Sequence, residues 1–211
     1  MSVAASRQLE RVTLSGHHVR LEPLDQQHAA GLERAFAPGT LDLMSATADC
    51  VEPHDPAGAA AYIFEAVEGW EAGRYLPFAV LDAQSGQVVG CTRFGDINLT
   101  VPRVEIGWTW YSEASRGTMV NPECKLLLLA HAFDQLGCEV VVLKTSAFNL
   151  RSQRAITKLG ATRDGVLRRH VHQRDGRLRD TVVYSILAEA WPQVRDGLER
   201  RLAHGAAGGL E

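Results

Sequence analysis

Apolar and polar residues alternate through "HHVRLEPL", residues 17–24, and the alternation ends at Pro23. That period of two predicts a first strand. Asp25 is placed to cap a helix to about Phe36, with Ala29, Ala30 and Leu32 on its inward side. Residues 37–55 follow neither period. In "DPAGAAAYIFEAVEGWEAG", a cap at Asp55, Pro56 at the first helical position and Gly73 at the end predict the next helix. "LPFAVLDAQSGQVVGCTRFGDI" reads as two apolar strands around a hairpin turn, and "VEIGWTWY" as a third strand. A helix from Asn121 to Leu136, stopped at Gly137, precedes "EVVVLKTS", whose continuous apolar run predicts a strand buried on both faces. "NLRSQRAITKLG" predicts a short helix ending at Gly160, and two last strands meet at Asp175-Gly176.

The order is strand, helices, three strands, helix, strand, helix, two strands. It predicts one α/β domain with a mixed sheet and helices on both faces. The unit from Glu105 to Thr145 should be a right-handed crossover that pairs two strands in parallel. The domain is expected over residues 1–195, followed at 196–211 by a helix end and a flexible tail, "HGAAGGLE" being excluded from fold reasoning. With 211 residues and 45% hydrophobic content, the chain can bury a sizeable core.

A net charge of -3 gives no general affinity for nucleic acid or an acidic membrane, and no apolar run approaches a membrane span. The N-terminus "MSVAASRQLERV" lacks the apolar core of a secretory signal, so the expected compartment is the cytoplasm. Cys50, Cys91, Cys124 and Cys138 have neither C-x-x-C nor zinc-finger spacing, so they read as reduced thiols and no metal site is expected.

The chemistry concentrates where "EIGWTW" runs into "YSEASRGTMVN". Strict alternation puts Glu105, Gly107 and Thr109 on one face and Ile106, Trp108 and Trp110 on the other. The loop beyond is small and polar, carries Arg116, and opens a helix whose first turn is Asn121-Pro122-Glu123. Free N–H groups, the helix dipole and a guanidinium together suit a phosphate. The alternative is a plain connector in which Asn121 caps the helix and Pro122 takes the first helical position. The spacing is neither a Walker loop nor G-x-G-x-x-G. Further on, Asn149 stands before the short helix, where Ser152, Ala155, Ile156 and Leu159 share an inward face. Ser152 is thus a hydroxyl at the C-terminal end of a buried strand, where open α/β sheets bind ligands. The competing readings are a capping Asn149 and a serine bonded back to its own helix.

Taken together, "VRLEPL", "FAVLDAQSGQVVGCTRF", "EIGWTW", the R-x-x-x-x-N loop, "NLRSQRAITKLGA", "GVLRRH" and "DGRLRDTVVYSI" resemble the GNAT acyltransferase superfamily. The closer resemblance is to its ribosomal-protein N-terminal acetyltransferase branch, of the RimJ/RimL type, over residues 17–192. It implies a mostly antiparallel twisted sheet with a parallel central pair that splays apart, and acetyl-CoA as donor. Pantetheine would lie in the splay beside Trp108, Thr109 and Trp110. Pyrophosphate would sit on Arg116, Gly117, Thr118, Met119, Val120 and Asn121. Asn149 and Ser152 match positions that contact the cofactor, with the serine placed to bond the leaving sulfur. The family loop reads Q/R-x-x-G-x-G/A; here Met119 and Asn121 stand at the small positions, and Ile156 replaces a tyrosine used as acid.

An amine acceptor follows from the resemblance. A peptide α-amine titrates near ~7.7–8.0 and a lysine near ~10.4, so a lysine needs roughly 3.5 kcal/mol more help at neutral pH than a half-neutral amine. Glu105 is the candidate base, directly or through water, with an ion pair to Arg93 or Arg103 as its alternative role. N–H groups near Trp110 would polarise the carbonyl. The resemblance allows a homodimer. "RRHVHQRDGRLRD" reads either as a preference for an acidic acceptor or as a solvated face. The other functional class left open is an acyl-CoA-binding sensor or catalytically weak relative.

Overall fold

The structure is a computed structural model that describes residues 9–37, 40 and 51–207. Eight strands form one sheet: β1 (Leu14–Ser15), β2 (Val19–Pro23), β3 (Leu76–Asp82), β4 (Val88–Asn98), β5 (Arg103–Tyr111), β6 (Val140–Ser146), β7 (Thr162–His172) and β8 (Leu178–Leu187). Their order is β1-β2-β3-β4-β5-β6-β8-β7. Only the β5–β6 pair is parallel; the other neighbours are antiparallel. Among the described residues the helices are α1 (Ala29–Ala35), α2 (Pro56–Glu71), α3 (Val120–Ala130), α4 (Leu150–Lys158) and α5 (Trp191–Ala207).

The caps read from the sequence are present. Asp25 accepts from the Gln27 N–H and opens a short 3-10 turn that leads into α1. Asp55 accepts from the Gly58 N–H at 2.7 Å, with Pro56 in the first turn of α2. The core has two halves, one on each side of the sheet. Leu32, Ile63, Ala79, Cys91 and Trp110 pack on the α1/α2 side. Phe78, Phe94, Val104, Ile106, Leu128 and Ile186 pack on the α3/α5 side. The alternation of β3 feeds both: Leu76, Phe78 and Val80 face one way, Ala79 and Leu81 the other.

Several expectations are corrected. β6 is buried on one face only: Val141 and Leu143 are buried, while Val140, Val142 and Lys144 are half-buried because no helix fully covers their side. Ala30 is exposed on the outer side of α1. β1, too short for a period to show, adds an edge strand. The central helix starts at Val120, turns π-helical over His131–Gln135 and stops at Gly137, whose φ of 65° suits glycine. In that π turn Asp134 accepts from the Trp191 indole N–H at 3.0 Å and Phe133 stacks on Trp191, which docks α5. Part of the expected flexible tail is helical, since α5 runs to Ala207. Cys91, Cys124 and Cys138 are free and buried; Cys50 lies outside the described residues.

Candidate functional site

β5 and β6 share only three rungs, Arg103–Val140, Val104–Val141 and Glu105–Val142. Beyond Glu105, β5 continues beside β4 to Tyr111, and β6 stays beside β8 to Ser146. The two strands therefore splay, and their facing edges run on without a ladder between them. Backbone polar groups left there need partners, which an extended, amide-containing chain would supply.

β5 does not alternate strictly. Its register against β4 shifts between Cys91 and Arg93, and Trp108 has a φ of 50°. This bulge corrects the predicted faces. Trp108 lies edge-on to Tyr75, with the Arg93 guanidinium 6.0 Å from its ring, and Trp110 donates to the Tyr62 hydroxyl at 3.1 Å. Both tryptophans thus face α2. A Cβ on Gly95, which pairs with Glu105, would meet the Trp108 ring at 2.4 Å, so Trp108 shares the face of Glu105. Thr109 turns the other way, bonding Thr92 at 2.7 Å and Lys125 at 3.0 Å.

The loop after β5 is a 3-10 turn (Glu113–Ser115) followed by Gly117 at a φ of 82°. The Thr118 hydroxyl donates to the Ser115 carbonyl and accepts from the Val120 N–H. Met119 is the residue before the first turn of α3, and no side chain caps it. Asn121 is therefore not the cap that the sequence suggested; its amide oxygen accepts from the Tyr111 hydroxyl at 3.2 Å. Arg116 turns back onto the loop, donating to the Tyr111 carbonyl and to Thr40. Glu123 is buried and accepts from the N–H groups of His17, His18 and Val19, tying the β1–β2 turn to α3. A side-chain-free helix N-terminus beside an exposed left-handed glycine fits an anionic group held by backbone N–H donors.

Asn149 caps α4 through the Ser152 N–H at 3.0 Å. Ser152 is half-buried, and among the described residues its hydroxyl makes no bond back to its helix. Glu105 stands on the last rung before the splay and pairs with Lys144 at 2.7 Å, not with Arg93 or Arg103. Those arginines pair with Glu65 and Asp96. The structure thus brings Glu105, Trp108, Thr109 and Trp110 to one wall of the splay. The α3 loop and the Asn149–Ser152 turn sit at the C-terminal ends of its two strands.

Two features escaped the sequence reading. Lys125 is buried on the inner side of α3, and burial pulls its ammonium below the usual lysine range. Its spacing from Leu128 and Leu129, one helical turn on, is the signal that would have found it. Arg93 is 1% exposed inside a cage of Tyr62, Tyr75 and Trp108.

Residues 18–162 match a family model described as an acetyltransferase (GNAT) domain. A Thermus-type relative, a protein of T. thermophilus assigned as an acetyltransferase, is 36% identical, with 90% of this chain and 96% of that one covered and a TM-score of 0.79. A GCN5-related N-acetyltransferase from Brucella melitensis is 27% identical over 92% of this chain and 86% of its own, with a TM-score of 0.82. Mycobacterium smegmatis RimJ, solved in complex with CoA-disulfide, shares the fold at 21% identity and a TM-score of 0.78, covering 92% and 95% of the two chains. No curated protein is similar enough to match.

Proposed function

Because the chain belongs to the GNAT acetyltransferase family, we propose that it moves an acetyl group from acetyl-CoA to a primary amine by direct attack in a ternary complex. A peptide α-amine is favoured over a lysine side chain, and small-molecule amines are the other acceptor class. The observation that carries this reading is the three-rung parallel pair that opens at Glu105 beside an uncapped helix N-terminus. A cytoplasmic setting belongs to the same reading and accords with the free, buried thiols.

Acetyl-CoA would supply the acetyl group already activated as a thioester. Gly117 to Asn121 would hold its pyrophosphate through backbone N–H groups, with Arg116 adding charge after releasing Thr40. β5 would offer N–H donors near Trp110 to the carbonyl oxygen, fixed in place by the bulge. Ser152 Oγ would donate toward the sulfur as charge develops there, its backbone already held by Asn149. Glu105 would take the proton of the attacking amine, directly or through water. Lys144 fixes one carboxylate oxygen of Glu105, and the absence of a side chain at Gly107 leaves room beside the other.

Purified protein, acetyl-CoA and a panel of amines, read by release of CoA thiol, test this directly. The panel pairs a peptide with a free N-terminus against the same peptide N-capped and bearing an internal lysine. The expected result is faster turnover of the free α-amine. Faster acetylation of the capped lysine peptide overturns the acceptor class. Acetyl-CoA binding with no amine turned over would favour the binding-protein reading, and no binding at millimolar acetyl-CoA would sink both.

A further inference from the structure

The β7–β8 hairpin is rich in cations, and its carboxylates are already engaged. Asp164 accepts from Ser185, Asp175 pairs with Arg177, and Asp180 accepts from the Arg169 N–H. Arg179 has no carboxylate partner among the described residues. It is half-buried, and its Nε–H is enclosed without an acceptor. Burial without a counter-charge pulls its guanidinium below its ordinary basicity.

The strand register says where Arg179 points. On β8 it lies two residues from Thr181 and four from Val183, so the three share a face. Val183 pairs with Lys144, which holds Glu105, and Thr181 pairs with the buried Ser146 at the end of β6. Arg179 therefore faces the same side of the sheet as Glu105 and Trp108. A bulge in β7, where Arg169 has a φ of 49°, delivers His170 to that side, with its Nδ1 3.1 Å from the Thr181 hydroxyl. At the hairpin tip Arg174 pairs with Glu52, just before α2, and spans the cleft.

We propose that Arg179, with His170 beside it, is a carboxylate-recognising subsite of the acceptor cleft, so that the acceptors are amines carrying an acidic group. Two residues of strand put Arg179 about 7 Å beyond the Ser146–Thr181 rung. That reach suits an acidic side chain at the second or third position of an extended peptide, or the carboxylate of a small amino acid-like acceptor.

The subsite rests on the acetyl-transfer reading, so the test separates the two. Peptides with Asp or Asn at the second and third positions, and a small amino carboxylate against its amide, are compared by kcat/KM. The acid of each pair is expected to win by about ten- to a hundredfold, the range of one charge-assisted hydrogen bond. Whether the peptide or the small pair shows the preference identifies the source of the carboxylate. R179M is expected to erase the preference by slowing the acid form toward its amide, and H170A to erase part of it. Equal rates for acid and amide in the wild type overturn the subsite while leaving acetyl transfer standing. A loss in R179M that falls equally on both forms makes Arg179 structural. If no amine is acetylated, equilibrium binding of the N-acetylated acid and amide peptides to the CoA-loaded protein decides: tighter acid binding supports the subsite, and equal binding overturns it.

Discussion

Lys125 sits in the core with a threonine hydroxyl for company, and replacing a buried charge by an apolar chain of similar volume is often neutral or stabilising. K125M is therefore expected to be as stable as the wild type at pH 7, or more stable by about 1–3 kcal/mol. Because burial lowers the folded-state pKa, the unfolded chain binds more protons between that value and the ordinary lysine value. Wild-type stability then rises with pH through this window, and the gap to K125M should narrow. Cys124 and Tyr111, whose pKa values burial pushes up, titrate in both proteins and largely cancel in the difference. Urea unfolding of both proteins at stepped pH from 7 to 10 measures it; a constant gap would mean that Lys125 is already neutral when folded. Ser152 poses a different question. With its backbone fixed by Asn149 and its hydroxyl unclaimed by the helix, S152A should cost about tenfold or more in kcat and little in cofactor affinity. Equal losses in both would make it a binding residue. For Glu105, E105Q should depress the rate most at low pH, where less free amine exists, and recover partly as pH rises. Superimposable pH–rate profiles would return Glu105 to its ion pair with Lys144.

The bulge of β5 belongs to no single residue. Arg93 on β4, Tyr62 on α2 and Tyr75 just before β3 hold Trp108 on the α2 side, and Gly95 leaves space for its ring. G95A places a methyl 2.4 Å from that ring, which neighbours on both sides keep from moving away. The expected cost is about 1–3 kcal/mol of stability together with a shift in tryptophan emission. A calorimetric scan and a fluorescence spectrum check it; unchanged values for both would show that Trp108 moves freely. The strands, caps and turns around this element were legible because each is written locally, in a period of two, an Asp before a Pro, or an Asp-Gly pair. Asn149 and Ser152 were legible for the same reason, as a cap and an inward position on one short helix. The bulge was not, because its cause lies in contacts from three other elements; strict alternation then assigned Trp108 and Trp110 to the wrong face. Asn121 misled in the opposite way. It has the chemistry of a cap, but the Tyr111 hydroxyl engages it and the helix begins one residue earlier.

At the scale of the molecule, the acceptor side of the sheet is closed by one polar link. The β7–β8 hairpin extends past the end of β6, and Arg174 reaches across to Glu52 at the entrance to α2. Net charge of -3 conceals this arrangement, since the hairpin is cationic while the chain as a whole is not. An ion pair with side chains 35% and 26% exposed contributes about 0–1 kcal/mol, too little to matter for folding. Its position gives it more leverage on binding, because it fixes how far the hairpin stands from α2. R174A and E52A, alone and together, should therefore leave the urea midpoint nearly unchanged while raising the acceptor KM severalfold. The double variant should be no worse than either single one, since each removes the same link. A charge swap, R174E with E52R, should restore much of the lost KM if the pair acts as a spacer. Acceptor KM that stays at the wild-type value in all of these variants would show that the hairpin holds its place by its own ladder with β6, and that the link between Arg174 and Glu52 is a surface contact without a role in the cleft.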